Sequence, residues 1–273
     1  MGSEMCIRDR LVYCAVTGYG EMGPLRDKAG YDQVLQTLTG MTTLQGPAGG
    51  PPEILYGSVV DYYAAALVAG GVASALYERE KSGAGQYVGV SLLRSALAMQ
   101  SARLVWADSE ARDVGGRDMR SGGITGIHPT RAGWLYISAN TPHFWQALCE
   151  KTGLAELLVE RYDSVRKRAQ HAQEIVPRLH AALATRTALE WEALFGEEVP
   201  CAAARDVEDM FDFPQVQAGD MVARFEHPAV GSYRGFAGAW KFDRTPGPAA
   251  FAAPTLDQHG EAIRAEADRL RGD

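Results

Sequence analysis

With 273 residues, 46% of them hydrophobic and 22% charged, the chain can bury a sizeable core and is expected to form one large or two modest domains. A formal net charge of -7 excludes the concentrated cationic surface that a phosphate backbone demands, and the short run Arg166-Lys167-Arg168 does not change that. Four scattered cysteines (Cys6, Cys14, Cys149, Cys201) form no CxxC pair, so neither a disulfide framework nor a zinc knuckle is indicated and a reducing cytoplasm is the expected setting.

Residues 1–10, MGSEMCIRDR, have no apolar stretch and read as a tag or assembly scar, not as a signal peptide. Residues 11–16 read as a buried strand, so the chain is expected to open in mid-fold, with its native amino terminus cut short. The following Gly18-Tyr19-Gly20-Glu21-Met22-Gly23 satisfies GxGxxG. A dinucleotide fingerprint, however, must open a helix, and Pro24, Asp27 and Gly30 break any helix here; the acidic ribose ligand about twenty residues on is missing as well. A helical pattern is expected over 31–44, then a Gly/Pro loop over 45–52.

Asp61 stands between Gly57-Ser58-Val59-Val60 and a long Ala-rich helix closed by Ser82-Gly83. Its plain role is an N-cap. The functional role uses the same geometry: amides at a helix start lower a carboxylate's pKa, and a rigid carboxylate packed among Ala64, Ala65, Ala66, Gly70 and Gly71 can serve as a nucleophile. Tyr62 and Tyr63 read as core or interface aromatics. The apolar run 64–76 is too short to span a bilayer, and no membrane contact is expected.

Residues 86–91 alternate as a strand and 92–106 resume a helical period. Polar, glycine-rich composition between 108 and 126 marks a domain boundary. Beyond it a strand is expected over 134–138, then a helix opened by Thr141-Pro142 and closed by Gly153. A capping box is expected at Thr187 and Glu190. The last third is loop-rich and ends in a charged helix from Asp257. The six histidines make no HExxH and no cluster with carboxylates, so no metal site is expected. The domains are placed at 11–112 and 113–222, with a return segment over 223–273.

Three stretches together, 16–40 (VTGYGEMGPLRDKAGYDQVLQTLTG), 59–93 (VVDYYAAALVAGGVASALYEREKSGAGQYVGVSLL) and the carboxy-terminal HPAVG, TPGP and APTLDQH, resemble the class III coenzyme A transferases. That family includes formyl-CoA and carnitine CoA-transferases and α-methylacyl-CoA racemase. The resemblance implies an α/β fold, with an incomplete Rossmann-like large domain and a smaller α+β domain, and an interlocked homodimer. It implies that Asp61 is the catalytic aspartate, that Tyr31 stands next to the thioester, and that Gly122-Gly123 belong to a glycine-rich loop closing over the reacting group. Asp32, Gln36 and Leu92 fall where relatives line the coenzyme. Coenzyme A and a small carboxylic acid would be substrates, with no permanently bound cofactor and no nucleic-acid partner. Relatives begin well upstream of residue 11, so much of the coenzyme pocket would be missing.

Two other readings stay open. The racemase branch shifts an α-proton between a His and an Asp, but Tyr31 replaces that His, and a phenol with pKa about 10 is a poor base near neutrality. The third reading is an inactive remnant of the fold.

Overall fold

The computed structural model describes residues 9–45, 50–105, 123–245 and 252–272. It divides into two compact units, Met1–Arg112 and Asp113–Asp273.

In the first unit, strand β1 (Tyr13–Thr17) pairs in parallel with β2 (Tyr87–Ser91), in register from Tyr13 opposite Tyr87 to Thr17 opposite Ser91. Parallel neighbours need a long crossover. Here it carries helix α1 (Asp32–Leu38) and the 24-residue α2 (Val59–Ser82), and α3 (Leu92–Met99) follows β2 directly. The expected buried strand is instead largely open: Tyr13 is 57% and Val16 55% exposed, because β1 and β2 form a sheet of only two strands. The expected helix over 31–44 is broken after Leu38 by Gly40, whose φ of 78° is a left-handed turn, and resumes only as a single 3-10 turn at Thr42–Leu44. Gly83 closes α2 in the same left-handed conformation, as its sequence position indicates. Instead of one helix over 92–106, α3 gives way to a 3-10 turn at Ser101–Arg103.

The glycines of α2 do not interrupt it. α2 is long and apolar enough to cross a bilayer by length and composition, a property that the run 64–76 alone hid. Little of it is buried, and Tyr62 and Tyr77 stand out from it, so Tyr62 is not a core residue of this unit. A small core joins Tyr19, Leu35, Met41, Val60 and Ala96.

The second unit holds an antiparallel sheet of β3 (Gly126–Pro129), β4 (Trp134–Ile137) and β5 (Cys201–Ala203), with β4 in the middle. Leu135 and Ile137 point inward while Trp134 and Tyr136 face out, the period-2 alternation of a half-buried strand. Helices α4 (Pro142–Thr152), α5 (Val165–Gln170), α6 (Ala172–Leu183) and α7 (Ala188–Phe195) supply the rest of a dense core containing Trp145, Leu148, Ile175, Leu179, Trp191 and Phe195. Helix α4 starts on Pro142 and ends at left-handed Gly153, and α7 carries the full Thr187/Glu190 capping box. A short α8 (Pro214–Ala218) and a hairpin of β6 (Val222–His227) and β7 (Gly231–Phe236) follow. The last helix, α9 (Gly260–Gly272), begins three residues later than expected. Asp257 itself sits at φ 57°, outside the helix, and its carboxylate accepts from Arg264.

Candidate active site

The first unit gathers two helix starts at the carboxyl ends of its parallel strands, the place where open α/β sheets bind ligands. β1 ends at Thr17 and runs into Gly18, whose carbonyl accepts from the Leu93 N–H at 2.9 Å and so ties the loop to the first turn of α3. On its other side Gly18 lies against Gly30: a Cβ on Gly18 would meet the Gly30 Cα at 2.7 Å, so the two backbones touch only because neither residue has a side chain. The GxGxxG run therefore serves a backbone crossing and opens no helix, as its prolines and glycines indicate.

That crossing places Asp32, two residues after Gly30, beneath the start of α2. The Asp32 carboxylate is 2% exposed. Its Oδ2 accepts from the Val60 N–H at 2.6 Å and the Asp61 N–H at 3.0 Å, and its Oδ1 accepts from Gln36 Nε2 at 2.5 Å. Gln36 is also fully buried: its Oε1 accepts from the Leu55 N–H at 3.0 Å. Both residues were expected along the coenzyme. In this unit their polar atoms are turned inward and bonded to one another and to the backbone of Leu55, Val60 and Asp61.

Asp61 does not take the N-cap position expected of it. The N-cap position is Ser58, whose side chain makes no capping bond, and Asp61 lies three residues into the helix with an exposed side chain. Among the described residues its carboxylate takes no hydrogen bond. It faces an open cleft of about 550 Å³ lined by Thr17, Gly18, Gly30, Ala64, Val68 and Leu92, an otherwise uncharged wall. The expectation of a lowered pKa fails: burial first, then the negative Asp32, push the Asp61 carboxyl above its ordinary 3.8. Burial disfavours the charged form, and the like charge of Asp32, held at the start of the same helix, adds to that penalty.

Leu92 is thus brought to the same cleft as Asp61. Tyr31 is not among the residues lining it; 68% exposed, it flanks Gly30, which does line it, and its carbonyl accepts from the Leu35 N–H at 3.0 Å. Gly123 belongs to the second unit and holds φ 96°, while Gly122 lies outside the described residues. Sequence reasoning missed the clamp that Asp32 and Gln36 build, although their i, i+4 spacing on one helix face was a signal for it. No group of three or more metal-ligating side chains occurs among the described residues.

The chain matches the family described as CoA-transferase family III over residues 5–260. Among curated relatives, it is 27% identical over 267 residues to the succinyl-CoA:glutarate CoA-transferase of Mus musculus, covering 95% of this chain and 61% of that protein. It is 28% identical over 277 residues to the acetyl-CoA:oxalate CoA-transferase of Acetobacter aceti, covering 95% of this chain and 67% of that one. The chain spans about three fifths of the length of the first of these relatives. In fold it is similar to a CAIB/BAIF family protein from Brucella suis, with a TM-score of 0.78, 24% identity, and coverage of 97% of this chain and 70% of that one.

Proposed function

From the chain's membership of CoA-transferase family III, we propose that Asp61 moves coenzyme A from an acyl-CoA donor to a small carboxylic acid, through an aspartyl anhydride and an aspartyl-CoA thioester. The observation that carries this reading is the setting of Asp61: an unengaged carboxylate on a buried-capped helix start, facing an uncharged cleft at the carboxyl ends of parallel strands.

An Asp61 oxygen attacks the thioester carbonyl, the C–S bond breaks and CoA thiolate leaves, giving the mixed anhydride. The thiolate then attacks the Asp61 carbonyl carbon and expels the donor carboxylate, leaving aspartyl-CoA. An acceptor carboxylate repeats the two steps in reverse. Thioester is exchanged for thioester, so the cycle is near energy-neutral. A carboxylate made more basic by burial and by Asp32 is a stronger nucleophile for the first step. Both intermediates hydrolyse when wetted, so the mechanism requires that water be excluded from this cleft during turnover. Relatives named for succinate, glutarate and oxalate support a small dicarboxylic acceptor. The paired-subunit assembly implied by the family resemblance belongs to the same proposal.

The raised basicity of Asp61 also suits α-proton transfer, the racemase alternative, and one experiment separates the two. The protein is incubated with a panel of acyl-CoA donors in deuterated water and trapped with hydroxylamine or borohydride. Mass spectrometry is then run on the peptide carrying Tyr62-Tyr63 and on the recovered acyl-CoA. Transfer predicts modification at Asp61, none in Asp61→Ala, and no deuterium at the α-carbon. Rapid α-deuteration without a covalent adduct would move the protein to the racemase branch, and modification at another residue would remove Asp61 from the mechanism.

A further inference from the structure

We propose that Asp32 is a positioning residue for Asp61: its buried carboxylate caps, from a neighbouring helix, the helix that carries the nucleophile. This rests on the reading of Asp61 as the nucleophile.

A buried carboxylate is tolerated when its lone pairs are met, and those of Asp32 are met from three directions: Gln36 one turn along α1, and the Val60 and Asp61 amides of α2. Gln36 in turn is anchored on Leu55 through both ends of its amide, with Nε2 3.4 Å from the Leu55 carbonyl and Oε1 3.0 Å from its N–H. The first turn of α2 is therefore held by a residue 28 positions upstream, while Ser58 at the usual capping position contributes no side-chain bond. Because one of the two capped amides is that of Asp61 itself, the bond fixes the backbone from which the nucleophile projects. The backbone contact of Gly18 with Gly30 fixes Asp32 in turn, so the cleft floor and the nucleophile are referred to the same point.

The electrostatic half follows from the same contact. α2 packs against α1, α3, β1 and β2, whose titratable groups are Asp32, Arg94, Tyr13, Cys14 and Tyr87. Of these, Asp32 acts on Asp61. Arg94 and Tyr87 line a different hollow, with Glu21, and Tyr87 is stacked on Tyr13. The remaining wall of the Asp61 cleft is uncharged, so removing the Asp32 charge removes a repulsion that disfavours ionised Asp61.

The test separates geometry from charge. Asp32→Asn keeps an oxygen for the two amides and loses the charge; Asp32→Ser is a second neutral cap if Asn does not fold; Asp32→Ala loses both. Protein carrying carbon-13 in its aspartate carboxyls is titrated by NMR, with the Asp61 resonance assigned through Asp61→Asn, and the rate of acyl labelling is measured against pH. In Asp32→Asn, or in Asp32→Ser, the Asp61 midpoint is expected to move to lower pH, and the acid limb of the labelling profile to move with it. In Asp32→Ala, labelling is expected to slow on the order of a hundredfold, the cost of a nucleophile misplaced by about 1 Å. An Asp61 midpoint that stays in place or rises in the neutral caps would overturn the proposal. The titration does not depend on turnover: wild-type protein that never labels Asp61, yet shows the shift, would sink the functional reading while leaving the coupling of the two carboxylates standing.

Discussion

The two units are stabilised in different ways. The second buries Trp145, Leu148, Ile175, Leu179, Trp191 and Phe195 in one apolar cluster. The first buries few large side chains and exposes Tyr13, Tyr31, Tyr62 and Tyr77; its working geometry rests on a glycine-to-glycine crossing and on the buried polar pair Asp32 and Gln36. Apolar packing is non-directional and tolerates small displacements of its parts, whereas hydrogen-bonded carboxylates and touching backbones fix position to within tenths of an ångström. The unit that carries Asp61 is built by the second method.

Paired substitutions should expose that difference. Ile175→Ala, at a fully buried position of the second unit, is expected to cost about 2–5 kcal/mol of stability, read as a lowered denaturation midpoint. Gly18→Ala in the first unit should show the opposite profile. The new methyl meets the Gly30 backbone, so the crossing must open, and acyl labelling of Asp61 should drop on the order of a hundredfold with a much smaller change in midpoint. If Gly18→Ala unfolds the chain as readily as Ile175→Ala while the molecules that remain folded label normally, the contrast between the units fails.

The smallest expected effect concerns His128, 1% exposed in the second unit. Its Nε2 lies 3.0 Å from the Ile124 carbonyl and its Nδ1 3.2 Å from His180 Nε2. The carbonyl can only accept, so Nε2 of neutral His128 carries the proton and its Nδ1 accepts from His180. Burial, with a smaller contribution from His180, pushes its pKa below the ordinary 6.5. The unfolded chain then binds the extra proton first, so this contribution to stability is complete above about pH 6.5 and is lost as pH falls below it toward the folded-state value. Thermal melts across that range should show the loss, and His128→Gln should flatten it. A melt profile unchanged by that substitution would remove the histidine pair from the account.

Local signals were legible in the sequence. Thr141-Pro142 and Gly153 bracket α4, Ser82-Gly83 ends α2, and the Thr187/Glu190 box opens α7, because caps and left-handed stops are decided within one turn. The nucleophile candidate and Leu92 were legible through family resemblance, and both line one cleft. What could not be read was non-local. Nothing near Asp61 in sequence announces that its helix is capped by Asp32, nor that burial and the Asp32 charge together raise its pKa. The apolar run that became β1 read as buried because hydrophobicity does not reveal how many strands flank it. Gln36, a polar residue on a short helix, gave no local sign that its amide would be consumed by Leu55.

The most direct test of Asp61 as the covalent carrier follows an oxygen atom. When the acceptor carboxylate attacks aspartyl-CoA and the released thiolate then takes the acyl group from the resulting anhydride, one acceptor oxygen stays on the aspartate. Protein turned over with an acceptor labelled in both carboxylate oxygens with the heavy isotope is therefore expected to carry one heavy oxygen in the Asp61 side chain, found by fragmenting the peptide that holds Tyr62-Tyr63. Turnover that leaves Asp61 unlabelled, or that places the isotope on another residue, would contradict the account.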